Sequence, residues 1–371
     1  MGRTVVVIGG GYGGAAVAKA LDGEADVVLV EPRDAFVHSA GTLRALVRPD
    51  WAANIFFPYD RLLRRGRVVR ERAVAVDPAG VTLGSGERIA ADYLVLASGS
   101  DYPYPAKTDT DSAAEALARL RATHGELAGA ARVLIVGAGP VGLELAGEIK
   151  AVWPDKRVTV VDPAERLVPA FTAALRAELH RQLNELGIDL RLGTSLAEQP
   201  PTGPGVARTF TLDTEGPVGT GAASDGTITA DIWFRCHGVR TNGDYLADGK
   251  VTTRTPQGRI RVTGTLNVEG HPRIYALGDV TDLAEAKMAG YAMRHAEVVA
   301  ANILAQLRGE EPAAVYQPSP VPSMLLPLGP NGGVGQVPTP DGPSLLPAEA
   351  VARYKGADLF IGRFVELFGT G

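Results

Sequence analysis

Val5-Val6-Val7-Ile8-Gly9-Gly10-Gly11-Tyr12-Gly13-Gly14 decides the fold. The β-branched run reads as a buried strand, and Gly9, Gly11 and Gly14 have the spacing of a turn from that strand into a helix. The first glycine makes the tight turn, the second lets the backbone approach a pyrophosphate, and the third lets helix and strand pack closely. The helix start adds free N–H groups and partial positive charge. A second copy, Val133-Leu134-Ile135-Val136-Gly137-Ala138-Gly139-Pro140-Val141-Gly142, repeats the arrangement with Gly137, Gly139 and Gly142. Roughly 20 residues after each turn an acid ends the next β-branched run, Glu31 in one copy and Asp162 in the other. Either carboxylate can accept from a ribose diol. Two such units in one chain predict two redox cofactors face to face, a flavin and a nicotinamide.

Working outward, the pattern predicts an α/β protein with two Rossmann-like dinucleotide-binding domains and a small C-terminal α+β unit. Residues 1–108 and 250–310 would form a discontinuous FAD domain, 109–249 an inserted NAD(P)H domain, and 311–371 the third unit. Periodicity places helices over 112–128, 171–186 and 286–307. The stretch 199–227, rich in Gly, Pro, Thr and Ser, reads as a loop or loose hairpin. Ile274-Tyr275-Ala276-Leu277-Gly278-Asp279 is a strand ending in a carboxylate before a helix, placed for the ribityl hydroxyls of a flavin. Tyr93-Leu94-Val95-Leu96-Ala97-Ser98-Gly99 is another buried strand ending in small residues.

Composition narrows the function. Lys plus Arg number 37 against 42 Asp plus Glu, a net charge of −5, so no basic field exists to hold nucleic acid. The single cysteine, Cys236, excludes an intramolecular disulfide, a C-x-x-C redox pair and a cysteine-rich metal site. That cysteine usage fits a reducing cytoplasm. No signal peptide precedes the first strand, and no apolar run is long enough to span a bilayer. His124, His180, His271 and His295 show no metal-ligand spacing, and no metal is expected.

The chain resembles the ferroptosis suppressor protein 1 family of two-dinucleotide flavoproteins. The likeness rests on Val7 to Gly14, AGTLRALV (40–47), ELAGEIK (144–150), NVEGHPRIYALGD (267–279), Lys287-Met288-Ala289, LGPNGGVGQV (328–337) and KGADLF (355–360). It implies an FAD-dependent enzyme that takes hydride from NADH, with NADPH as an alternative donor, and reduces a quinone by two electrons. The first unit would bind FAD through Gly9, Gly11, Tyr12, Gly13, Gly14, Glu31, Ser98, Gly99, Gly278, Asp279, Lys287 and Met288, with Arg44 on its phosphates. Gly137, Gly139, Gly142 and Asp162 would bind the nicotinamide nucleotide. Glu144, on the first turn of the second helix, would lie near the nicotinamide. Lys287 would begin the long helix near the flavin pyrimidine, and His38 would either deliver a proton to the quinone or be a satisfied structural histidine. Lys355 would polarise a quinone carbonyl, with Phe360 walling the pocket.

A small redox protein, oxygen or a biosynthetic intermediate is an alternative acceptor. A low-turnover NADH sensor of the apoptosis-inducing-factor type is the alternative outside turnover. Val6 stands where a myristoylation motif needs Ser or Thr, so lipid anchoring is not expected. The apolar tail Leu359, Phe360, Ile361, Phe364, Val365, Leu367 and Phe368 has helix spacing. Core packing is its default role, with a homodimer seam or peripheral membrane contact as alternatives.

Overall fold

The computed structural model describes residues 2–201, 203–213 and 226–370. Five parallel strands form one sheet, in the order Ile274–Ala276, Tyr93–Leu96, Thr4–Ile8, Asp26–Val30 and Arg67–Val69. Its strands are near-continuous apolar runs because helices and a small sheet cover both faces. The strand Ile274–Ala276 reaches this sheet only after a second sheet has been completed between it and Tyr93–Leu96.

That second sheet runs Ile188–Leu192, Arg157–Asp162, Arg132–Val136, Thr227–Arg235, Gly205–Asp213 and Ser195–Leu196. The first four are parallel and the last two join antiparallel. The stretch 199–227 therefore carries more order than its turn-rich composition suggests. Phe210 and Leu212 alternate inward against Ile228, Ala230 and Trp233, a period-two signal hidden among threonines. Residues 202 and 214–225 of that stretch lie outside the described residues. A short antiparallel ribbon, Ser100–Asp101 with Arg240–Thr241, joins the two units.

The C-terminal unit divides its allegiance. Its antiparallel strands Met324–Leu328, Gly332–Thr339 and Gly342–Leu346 pack on the second unit, where Met324, Leu326, Leu328 and Val334 share a core with Leu143, Ile149 and Val160. Its last helix, Ile361–Phe368, packs on the first unit instead. There Phe368 stacks on Phe36 at 4.9 Å between ring centres and Phe364 on Phe36 at 5.3 Å, with Phe57 and Tyr59 around them. The apolar tail is thus core at Phe364 and Phe368.

Close approach of the strand Met324–Leu328 to the helix Pro140–Val152 depends on Gly147. A Cβ there would lie 2.6 Å from the Cα of Leu328. Gly147→Val should therefore lift the C-terminal sheet off this helix and cost about 1–3 kcal/mol. Urea denaturation of the purified variant measures it, and an unchanged midpoint would contradict the packing.

Candidate functional site

The two glycine turns are built alike. Gly9 and Gly137 sit at φ +100° and +115°, where a side chain is strained. A Cβ on Gly14 would collide with the Gly9 carbonyl, and one on Gly142 with that of Gly137. At Gly11 and Gly139 a Cβ would meet nothing within 4 Å, so each turn faces open space at its central glycine. Each turn is tied to its acid. The Gly10 N–H donates to Glu31 Oε2 at 2.7 Å, and the Ala138 N–H donates to Asp162 Oδ2 at 2.7 Å. The remaining oxygens accept from Arg33 N (3.0 Å) and Ala164 N (2.8 Å). Tyr59 Oη adds a bond to the Gly10 carbonyl at 2.8 Å.

On the first unit, Ser98, Gly99 and the Gly278-Asp279 turn lie at the carboxyl ends of neighbouring strands. Ser98 Oγ bonds the Asn242 carbonyl at 2.5 Å and the Tyr245 hydroxyl at 2.9 Å. Gly99 is in the left-handed region with open space beside it. Asp279 Oδ2 accepts from Ser100 Oγ at 2.6 Å and lies 3.9 Å from Lys107 Nζ. Burial pushes the Lys107 ammonium down, with Asp279 pulling it back. Lys107 carried no motif, and only the fold brings it to this carboxylate.

Lys287 stands before the long helix, which is Ala289–Leu307, because Met288 is extended and caps it. Its ammonium donates to the carbonyls of Thr281 (2.9 Å) and Leu283 (3.0 Å), closing the loop that leads to the helix.

Between the units the C-terminal unit contributes Lys355. Its Nζ lies 2.8 Å from Glu144 Oε1 and 3.0 Å from the Leu325 carbonyl. Burial pushes the Glu144 carboxyl up against the opposing pull of Lys355. One turn along the same helix, the buried Glu148 takes both Nε and Nη2 of Arg44, at 3.0 and 2.6 Å. Arg44 Nη1 reaches the Ala357 carbonyl at 3.1 Å. Arg44 is therefore not available to a phosphate: its guanidinium joins the first unit, the second and the C-terminal unit.

His38 is buried with both ring nitrogens engaged. Nε2 lies 2.8 Å from the Leu359 carbonyl, which only accepts, so Nε2 carries the hydrogen. Nδ1 then accepts from Tyr12 Oη at 3.0 Å, whose oxygen accepts from Ala40 N. Burial lowers the imidazole pKa to about 4. A neutral ring with no free edge fits a positioning role and not the proton delivery expected of it. The carbonyl it grips belongs to Leu359, which with Phe360 sits in the left-handed region, unusual for such side chains. Phe360 is half-buried under the Arg363 guanidinium.

On the second unit, a cleft of about 220 Å³ opens at the glycine turn, lined by Gly137, Asp162, Pro163, Thr194, Ser195 and His237 among others. His237 is on its wall. Among the described residues no cluster of His, Cys, Asp and Glu is arranged for a metal, and no helix is long and apolar enough to cross a membrane.

The model of the pyridine nucleotide-disulphide oxidoreductase family matches residues 3–301. Ferroptosis suppressor protein 1 of Taeniopygia guttata is 33% identical, the match covering 90% of this chain and 88% of that one. Apoptosis-inducing factor homolog B of Dictyostelium discoideum is 29% identical over 98% of this chain and 96% of its own. Among solved structures, the sulfide:quinone oxidoreductase of Aquifex aeolicus superposes with a TM-score of 0.77 at 18% identity, covering 99% of this chain and 92% of that one.

The His38 environment has a measurable signature. An unfolded imidazole binds a proton near pH 6.5 and the folded ring near 4, so between these values the unfolded chain holds the extra proton. Stability therefore falls as pH drops through this window and does not change above it on this account. At pH 5 the loss from His38 is about 2 kcal/mol relative to pH 7.5. His38→Gln should remove about that much of the pH dependence in denaturant titrations at the two pH values. An identical dependence in the variant would refute the buried neutral ring.

Proposed function

The chain belongs to the pyridine nucleotide-disulphide oxidoreductase family, and from that premise we propose that it is an FAD-dependent NAD(P)H oxidoreductase whose acceptor is a quinone. The observation that carries this reading is the pair of like-built glycine turns, each tied to a carboxylate and each open at its central glycine. FAD fits the first: Gly11 leaves room for the pyrophosphate, Glu31 would take the adenosine ribose, and Asp279 the polyol chain. NAD(P)H fits the cleft of the second. Bound FAD supplies the two-electron exchange between nicotinamide and acceptor, in which NADH, a quinone and one proton give NAD⁺ and the quinol.

The chain's own residues orient and charge this exchange. Glu144 on the first turn of the second unit's helix receives the nicotinamide end. Lys355 gives two of its three N–H donors to Glu144 and Leu325, leaving one for a quinone carbonyl. Buried Cys236, its thiol pushed up to about 12 by burial, supplies no redox disulfide, so electrons leave to an outside acceptor. The Asp162 carboxylate would repel a 2′-phosphate, and among the described residues no lysine or arginine lines the cleft to receive one. NADH is therefore the preferred donor.

Rapid mixing of the FAD-loaded protein with NADH should bleach the flavin band, and a ubiquinone or menaquinone analogue should restore it. A flavin that stays oxidised at roughly millimolar NADH would sink the reading. NADPH should be poorer by roughly tenfold in kcat/KM. Lys355→Met should lower quinone turnover by roughly 100-fold.

A further inference from the structure

Behind the Gly278-Asp279 turn lies a chain of three buried polar side chains that the proposed chemistry does not use. Tyr316 Oη donates to Glu285 Oε2 at 2.6 Å, and Glu285 Oε1 lies 2.7 Å from His295 Nε2. His295 Nδ1 accepts the Gly278 N–H at 3.0 Å. His295 is 1% exposed and Tyr316 6%, and the two rings meet edge to face at 4.2 Å. Because Nδ1 accepts, the hydrogen is on Nε2, which lies beside Glu285 Oε1. Burial lowers the His295 pKa, with Glu285 pulling the other way, so the ring is a neutral imidazole held in one tautomer.

The arrangement is costly in isolation. A buried carboxylate loses its hydration, and a cation normally offsets that loss. Here neighbouring cations are turned elsewhere: the Lys287 ammonium holds the carbonyls of Thr281 and Leu283, and Arg294 lies over the Tyr316 ring. Glu285 instead accepts from a phenol and lies against an imidazole, both neutral. A carboxylate behind an imidazole fixes its tautomer and raises the basicity of its far nitrogen. That nitrogen holds the single backbone N–H that opens the turn, with Gly278 at φ +73°. The next residue is Asp279, held by Ser100 and Lys107.

We propose that Tyr316, Glu285 and His295 are positioning residues that hold the Gly278-Asp279 turn, and with it the carboxylate that receives the flavin's polyol chain. The chain also ties that turn to the segment leading into the C-terminal unit, since Tyr316 lies between the long helix and the strand Met324–Leu328. The inference rests on the reading that Asp279 faces FAD.

The test is titration of FAD into apoprotein, read by flavin fluorescence, together with melting of the apoprotein. His295→Phe keeps the ring volume and removes the acceptor, and should weaken FAD binding about tenfold or more. His295→Asn, which still offers an oxygen to the Gly278 N–H, should bind within about threefold of the natural protein. Glu285→Gln keeps the shape but not the charge, and should fall between. Wild-type affinity in both His295→Phe and Glu285→Gln would overturn the proposal. So would equal weakening by His295→Phe and His295→Asn. If His295→Phe does not fold, the Glu285→Gln titration decides alone. If the natural protein itself takes up no FAD, the underlying functional reading has failed instead.

Discussion

A peptide N–H donating to a carboxylate at the next strand's end is the bond on which the cofactor architecture depends. Gly10 to Glu31 and Ala138 to Asp162 are the same bond made twice, at the same distance. Each holds a glycine turn shut against its sheet, so that the unpaired N–H groups of the following helix all point one way. A bond to an ionised acceptor is stronger than one between neutral groups, and burial strengthens it further. Both acids therefore hold the structure of their turns. Each oxygen keeps a second lone pair.

The relation between the two units is set by the C-terminal chain. Its sheet follows the second unit and its last helix the first, so a shift of one unit against the other would have to break an apolar core. Arg44 stands at the junction, bonded to Glu148 in the second unit and to the Ala357 carbonyl. Nearby, His38 holds Leu359 in a conformation that side chain rarely adopts. Such strain persists only where surrounding contacts over-determine it, and here the Leu359 carbonyl is held by His38 while its N–H donates to the Lys355 carbonyl.

Local pattern made the two βαβ units legible, because strand, turn and helix start are contiguous in sequence. The glycines, Glu31, Asp162, Asp279 and the Glu144 helix start all follow from that contiguity. What pattern could not reach were contacts closed over long separations. Arg44 looked free for a phosphate because its partner Glu148 is remote in the chain. His38 looked like a proton donor because neither Tyr12 nor Leu359 is a sequence neighbour. Lys107 and the Tyr316–Glu285–His295 chain were invisible for the same reason. The strand Gly205–Asp213 was obscured differently: its buried positions alternate with exposed threonines and charges, so composition spoke louder than period.

The strand Ile274–Ala276 has a consequence for how the molecule is made. Its neighbour Tyr93–Leu96 leaves the ribosome long before it, and every strand of the second sheet emerges in between. The second sheet can thus close during synthesis while the first still presents an unpaired edge. The lobe whose chain begins first is the one that finishes last, and Asp279 arrives with the strand that completes its sheet.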